Sequence, residues 1–173
     1  MPAECEIFKS DRILSEIKLL KDREKIHEID EALEKIVIFA ISGEYYALPG
    51  REVLEIVPAG DISPIPGTPK CIPGLIELRG EIESVLDLRT VLGIPANERS
   101  GNYILIAQSG SIRSGVLVDS VEDVADVTLS AIMSAPATLG AEAREYVAGR
   151  LDCGDRSVIL LDMGNIFARA MVA

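Results

Sequence analysis

The segment GLIELRGEIESVLDL, residues 74–88, decides the fold because its pattern occurs a second time later in the chain. Residues 149–163 read GRLDCGDRSVILLDM, and the two segments align without a gap. Both begin with Gly, carry an acid at the fourth position and end in two apolar residues, an Asp and a further apolar residue. The match predicts two similar β-subdomains, each closing with a strand whose Asp caps a helical turn. A chance match between short apolar strands is the alternative.

Most of the chain beyond residue 35 consists of short runs of the β type, rich in β-branched and aromatic residues. The predicted strands are IVIFAIS (36–42), YYALP (45–49), YILIA (103–107), GVLV (115–118) and SVILLD (157–162). Gly43-Glu44 and the stretch 108–111 are the predicted hairpin turns. Five prolines between residues 58 and 73 predict a loop-like connection. This spacing indicates an all-β barrel or sandwich and not alternating β and α units.

Residues 10–35 differ from everything after them, because they lack Pro and Gly and are dense in Glu, Lys and Leu. This composition predicts an N-terminal amphipathic helix, so we divide the chain into a helical extension (1–35) and a β-body (36–173). Two apolar stripes follow helical spacing and are out of phase with each other. They are Ile13, Ile17 and Leu20, then Ile26, Ile29, Leu33 and Ile36. We expect the second stripe to pack on the β-body and the first to be available to another molecule, including a second copy of the chain.

The charge of the chain excludes nucleic acid as a partner. The formal net charge is −11, and Lys70 is the one lysine beyond residue 35, whereas binding to a duplex requires clustered Lys and Arg. No apolar run approaches the roughly 20 residues that span a bilayer. The N-terminus also lacks a basic region followed by an apolar core. We therefore expect a cytoplasmic protein without direct membrane insertion.

The residue types that catalysis usually requires are scarce. His27, the one histidine, lies in the predicted helix, outside the β-body. Cys5, Cys71 and Cys153 are widely spaced and contain no CxxC, so we interpret them as free thiols. No phosphate-binding loop, nucleophile elbow or zinc-ligand spacing is present. We expect no catalytic centre, no metal and no cofactor, although an enzyme that uses carboxylates alone is the alternative.

The stretch from Ile36 to Phe167 resembles the CheW family of chemotaxis coupling proteins. Four segments carry the resemblance: an opening hairpin, a Pro-rich connection leading into G-L-I-x-L-R-G and V-x-D-L-R, a second-half strand, and a closing strand with a helix. They read FAISGEYYALPGREVLEIV (39–57), ISPIPGTPKCIPGLIELRGEIESVLDLRTVLG (62–93), SGVLVDSVEDVADV (114–127) and SVILLDMGNIF (157–167).

The resemblance implies an all-β fold of two SH3-like five-stranded barrels, here preceded by the N-terminal helix. It also implies a non-enzymatic adaptor that joins the cytoplasmic tips of chemoreceptors to a CheA-like histidine kinase. An adaptor of a non-flagellar array, such as one for pilus motility, and a barrel that senses a small molecule are the alternatives.

Arg79 is the foremost candidate for contact with a partner. Strand alternation groups Glu77, Arg79 and Glu81 on one side and directs Ile76, Leu78 and Ile82 into the core, with Gly80 bending the chain. Arg79 then either reaches a partner with its planar guanidinium or only braces the turn against nearby carboxylates or carbonyls.

Two further pairs complete the predicted partner-binding set. Alternation places Val53 with Glu55, opposite Leu54 and Ile56, which predicts that Val53 and Glu55 are exposed. Asp87 and Arg89 flank Leu88 and can share a side, with helix capping as the alternative role for Asp87.

Overall fold

The computed structural model describes residues 32–95 and 101–172, and these form ten strands with short helices between them. The N-terminal helix predicted for residues 10–35 lies outside the described residues as far as residue 31. The strands are β1 (Leu33–Ile41), β2 (Glu44–Pro49), β3 (Val53–Pro58), β4 (Gly74–Leu78), β5 (Glu81–Asp87), β6 (Tyr103–Ser109), β7 (Ile112–Val118), β8 (Ser120–Thr128), β9 (Val147–Cys153) and β10 (Arg156–Leu161). The α-helices are α1 (Leu88–Leu92), α2 (Ala141–Arg144) and α3 (Met163–Val172), and 3₁₀ turns cover Gly50–Glu52 and Leu129–Ala131.

The strands form two five-stranded sheets with the same pattern of antiparallel and parallel pairs. Sheet A has the order β8-β1-β2-β10-β9 and sheet B the order β3-β6-β7-β5-β4. In each sheet one pair is parallel (β2 with β10, β5 with β7) and the others are antiparallel. The chain crosses from sheet A to sheet B after β2 and returns after β7, so sheet A combines strands from both ends of the described chain, whereas sheet B consists of five consecutive strands. The prediction of a mostly β protein is confirmed.

The internal repeat is confirmed in the topology. Gly74 on β4 lies opposite Val85 on β5, and Gly149 on β9 lies opposite Leu160 on β10, at the same place in the two sheets. The capping carboxylates also correspond. Asp87 accepts a hydrogen bond from the Arg89 backbone N–H at 3.0 Å, and Asp162 accepts one from the Asn165 backbone N–H at 3.0 Å.

The repeat extends to a β-bulge on one edge strand of each sheet. On β3, Val53 and Glu55 pair with consecutive residues of β6, which leaves Leu54 as the extra residue. On β8, Val121 and Asp123 pair with consecutive residues of β1, which leaves Glu122 as the extra residue. A bulge of this kind leaves one residue of the strand without a partner and bends the strand locally.

Three hydrophobic clusters hold the sheets together. One lies within sheet A and includes Ile38 and Leu151, and one lies within sheet B and includes Ile106 and Val85. The largest combines residues of both sheets with residues of α1 and α3, and we call it the central cluster. Its fully buried side chains include Phe39, Ile41, Leu48, Leu86, Leu88, Leu105, Leu161, Met163 and Ile166.

The end of the predicted N-terminal helix was wrong. Leu33, Glu34 and Lys35 belong to β1, where they pair with β8. The prediction that Leu33 and Ile36 share one helical stripe is also wrong, since Ile36 is buried within sheet A and Leu33 is exposed. Good helix-forming composition was overridden here by strand pairing, which supplies backbone partners that local propensity does not take into account.

Gly74 is required because the backbone of another segment approaches it closely. Ser63 forms an isolated β-bridge with Leu75, and a Cβ built on Gly74 would lie 2.2 Å from the Ser63 carbonyl oxygen. Gly149 has the corresponding position in sheet A, where a Cβ would lie 2.7 Å from the Met133 carbonyl oxygen. Both glycines therefore allow the connecting loop to lie against its sheet.

We predict that Gly74→Ala destabilises the protein by roughly 1–3 kcal/mol, because the added methyl group overpacks the bridge to Ser63. Urea denaturation followed by circular dichroism measures this loss. Gly60→Ala is the matched control, because nothing lies within 4 Å of a Cβ at Gly60. Equal unfolding midpoints for the two variants would show that the close approach at Gly74 does not constrain the fold.

Candidate partner-binding surface

Arg79 and Glu55 form an ion pair that joins the two edges of sheet B. Arg79 lies in the turn between β4 and β5, and its Nη2 is 2.6 Å from Glu55 Oε1 on β3. The Arg79 side chain is 78% exposed, and that of Glu55 is 29% exposed. Glu55 therefore fixes one edge of the guanidinium while most of that group faces solvent, which confirms that Arg79 is exposed.

The turn that carries Arg79 depends on positive φ angles at two consecutive residues. Arg79 has φ +53° and Gly80 has φ +84°. This is the combination found in two-residue hairpin turns that match the twist of the flanking strands. Gly80 adopts its angle without strain, as predicted, whereas Arg79 is one of the few non-glycine residues with positive φ in the described parts of the chain.

The predicted exposure on β3 was wrong in part. Leu54 and Ile56 are 51% and 39% exposed, whereas Val53 is half-buried and packs against the central cluster. Val53 packs on the central cluster and Val57 on the cluster within sheet B, so the alternate residues Leu54 and Ile56 face solvent. The exposed residues are therefore not Val53 and Glu55, as predicted, but the apolar Leu54 and Ile56, which flank Glu55.

The prediction that Ile82 enters the core was also wrong, and strand register explains why. Ile82 is 64% exposed and pairs with Glu77 across the turn, whereas the buried Ile76 pairs with Glu83. Directly opposed residues of an antiparallel pair share a face, so Ile82 lies on the outer face with Glu77. Glu83 is consequently buried, and it forms an ion pair with Arg113 Nε at 2.8 Å. The sequence offered no signal for this buried carboxylate.

Arg89 was predicted to contact a partner, but the structure buries it. Its side chain is 8% exposed and forms an ion pair with Asp119, with Nη1 also 3.6 Å from Asp87 Oδ1. Asp119 lies between β7 and β8, and its Oδ2 accepts a hydrogen bond from the Ser42 backbone N–H at 2.7 Å. Arg89 therefore links α1 to the crossover between the sheets and does not offer its guanidinium to solvent. Asp87 caps α1, which was the alternative role.

Sheet A carries a related pair at the corresponding end. Arg156 Nη1 lies 3.4 Å from Glu122 Oε2 on β8, and the Arg156 guanidinium lies 4.8 Å from the centre of the Tyr45 ring. It joins β10 to the edge strand β8, which are not neighbours in sheet A, whereas the Arg79–Glu55 pair joins the two edges of sheet B. Here the bulged residue is a paired carboxylate, whereas in sheet B it is the exposed Leu54.

Groups with shifted pKa values are scattered through the described residues. Burial raises the pKa of the Tyr46 phenol on β2 and of the Cys153 thiol at the end of β9. Burial also raises the pKa of the Glu52 carboxyl in the crossover after β2, with further contributions from Asp162 and Glu34. A raised thiol pKa disfavours the reactive thiolate, which agrees with a free, unreactive Cys153.

Within residues 32–95 and 101–172, no group of three or more His, Cys, Asp or Glu side chains could hold a metal ion. None of the helices in the same ranges has both the length and the apolar character needed to cross a bilayer.

Comparison with known proteins gives a consistent result. Residues 35–171 match the family described as the CheW-like domain. The chain is similar to a chemotaxis protein CheW of Klebsiella aerogenes, with 29% identity over 81% of this chain and 85% of the relative. It is 36% identical to that of Bacillus subtilis over 60% of this chain and 67% of the relative. The crystal structure of the scaffolding protein TtCheW from Thermoanaerobacter tengcongensis matches with a TM-score of 0.66, at 32% identity over 76% of this chain and 86% of that one.

We predict that Arg89→Ala destabilises the fold far more than Arg79→Ala does. Removing Arg89 leaves a buried Asp119 carboxylate without its cation, which costs about 3–5 kcal/mol. Removing the exposed Arg79 costs less than about 1 kcal/mol, because solvent screens that pair. Chemical denaturation of both variants measures the difference, and equal losses would contradict the assigned roles of the two arginines.

Proposed function

The chain belongs to the family of CheW-like domains, and from this premise we propose which surface it uses to hold its partners. The protein is a non-enzymatic chemotaxis adaptor that couples receptors to the kinase CheA, and it acts in the cytoplasm as CheW proteins do. The proposed surface consists of Leu54, Glu55 and Ile56 on β3 with Arg79 and Gly80 in the β4–β5 turn. We call it the β3 surface, and its proposed partner is a CheA-like histidine kinase.

The observation that carries this proposal is an exposed arginine held in place beside exposed apolar side chains. Leu54 and Ile56 are exposed on both sides of Glu55, and Arg79, which pairs with Glu55, adds a charged group beside them. Protein–protein contacts commonly have an apolar centre and a polar rim, and arginine is enriched where binding energy is concentrated.

The ion pair with Glu55 prepares Arg79 for binding. One edge of the guanidinium is occupied at 2.6 Å, so the group loses less conformational freedom when its remaining N–H donors meet a partner. Gly80 has no side chain and nothing lies within 4 Å of a Cβ built there, so a partner backbone can approach the turn closely.

Asp87, Arg89 and Val53 are held by contacts within the protein. Asp87 caps α1, Arg89 joins α1 to Asp119, and Val53 packs on the central cluster beneath the exposed residues of β3. We propose that these three residues affect binding by positioning the outer residues and not by contact.

We also propose that each sheet closes into a barrel, and we propose further partners. The Arg79–Glu55 ion pair joins the two edges of sheet B, and the Arg156–Glu122 pair joins β10 to the non-neighbouring edge strand β8 of sheet A, which supports closure into two SH3-like barrels. We also propose two further partners. One is the cytoplasmic tip of chemoreceptors, and the other is a second copy of this chain, bound through the N-terminal helix predicted from residue 10 onward.

We predict that Arg79→Ala weakens binding to the regulatory domain of a CheA-like kinase by about 2 kcal/mol and leaves the melting midpoint nearly unchanged. Isothermal titration calorimetry with the purified kinase domain measures the affinity. Lys35→Ala is the matched control, because Lys35 is also exposed and paired, with Asp126 at 2.8 Å, but lies on sheet A. Unchanged affinity for Arg79→Ala, or equal losses for both variants, would exclude the β3 surface as the kinase site.

Deleting residues 1–24 should leave the β-body folded and change either the oligomeric state or the affinity for a partner. The reason is that the first predicted stripe, Ile13, Ile17 and Leu20, is too apolar to be stable in water without a packing surface. Light scattering and the kinase titration measure the two effects. If neither changes, the segment has no role in assembly, and if the β-body unfolds, the segment is part of the core.

A further inference from the structure

A cavity of about 360 Å³ lies where the helices of the two sheets meet. Its walls come from α1, which follows β5 of sheet B, from α2 and α3, which flank the last two strands of sheet A, and from the Pro-rich segment near residue 70. The volume falls within the range of small-molecule sites. The cavity is separate from the β3 surface, since none of its lining residues belongs to that surface.

The cavity holds two cations that lack partners. Ten Lys and Arg residues occur in residues 32–95 and 101–172. Eight of them have a carboxylate or carbonyl oxygen as partner. Within these ranges Lys70 and Arg169 have no hydrogen bond or ion pair, and both line the cavity. Both side chains are exposed, so an anion that enters the cavity would meet two cations that no carboxylate of the described residues already pairs.

The floor of the cavity is apolar. Cys71 and Tyr146 are each only 6% exposed and belong to the central cluster, and Ala170 is buried beside them. The two residues also correspond in the repeat, because the Cys71 and Tyr146 carbonyls accept hydrogen bonds from Asp87 N and Asp162 N respectively, each at 2.8 Å. These backbone bonds hold the floor in place, so the cavity is part of the folded framework.

One carboxylate, Glu142, stands among the lining residues with Lys70 and Arg169. The three side chains together carry a charge of +1, which is balanced by a single negative charge. A dianion such as a phosphate monoester would leave one uncompensated negative charge near Glu142, and it would not cover the apolar floor. An apolar body that ends in one carboxylate satisfies both parts of the cavity.

We propose that this cavity binds a small organic monocarboxylate, with its charged end between Lys70 and Arg169 and its apolar body against Cys71, Tyr146 and Ala170. The site gives the adaptor a capacity to bind a small ligand in addition to holding proteins. It does not depend on the assignment of the β3 surface to kinase binding.

The test uses the full-length protein and three probes with the same apolar body. They are 3-phenylpropionate (anionic), 3-phenylpropanol (neutral) and 3-phenylpropylammonium (cationic), titrated into ¹⁵N-labelled protein and followed by NMR. We expect 3-phenylpropionate to shift the amide signals of Thr90, Val91 and Tyr146. The alcohol should bind at least about tenfold more weakly, because a hydrogen bond to a charged group is lost, and the ammonium should not bind.

Arg169→Gln and Lys70→Gln should each weaken 3-phenylpropionate about tenfold while retaining the native spectrum. Arg150→Gln is the control, since Arg150 lies near Asp152 and does not line the cavity, and it should bind like the native protein. Equal binding of the acid and the alcohol, or full affinity in Arg169→Gln, would overturn the proposal. Loss of kinase binding in Lys70→Gln, with no probe shifting the cavity signals, would also overturn it and assign these cations to a protein contact.

Discussion

The central cluster is the constraint on which the rest of the structure depends. It combines side chains from both sheets with α1 and α3, so a large part of the apolar surface of each sheet is buried only where the two sheets meet. Asp119 lies in the crossover between β7 and β8, where its backbone N–H donates to the Ala40 carbonyl at 3.0 Å and its carboxylate binds Arg89 and the Ser42 N–H. This buried ion pair holds the crossover, α1 and the β1–β2 turn together at the edge of the two sheets. Breaking one partner of such a pair is costly because the other charge remains buried.

The two sheets have the same framework but different surfaces. Both have a bulged edge strand, a glycine against a connecting loop, and an Asp that caps the following helix. The bulged residue is the exposed Leu54 in sheet B and the paired Glu122 in sheet A. Backbone geometry is therefore repeated, whereas the side chains that a partner would meet are not. This agrees with the general rule that function belongs to sites on a fold and not to the fold itself.

The outer residues of the β3 surface could be predicted only in part. Arg79 is exposed and Gly80 has positive φ, as the residue pattern indicated. On β3 the residues alternate as predicted, but the exposed side was assigned wrongly, because Val53 and Val57 pack on two hydrophobic clusters. The assignment of Ile82 failed because the two-residue turn set the register. A shift of one residue in register reverses every side chain on a strand, so small errors in turn position have large effects on a predicted surface.

The sequence alone determined most of the strands, the repeat, the capping role of Asp87 and the need for glycine at residue 80, because all of these follow from local pattern and backbone conformation. Only the tertiary structure decided that β3 and β8 join the sheet opposite to that of the preceding strand. The burial of Arg89 and Glu83, the β-strand at residues 33–35 and the meeting of Lys70 with Arg169 in one cavity were likewise decided there. These features depend on contacts between residues far apart in the chain. Local propensity and periodicity carry no information about which distant backbone or charge will be the partner.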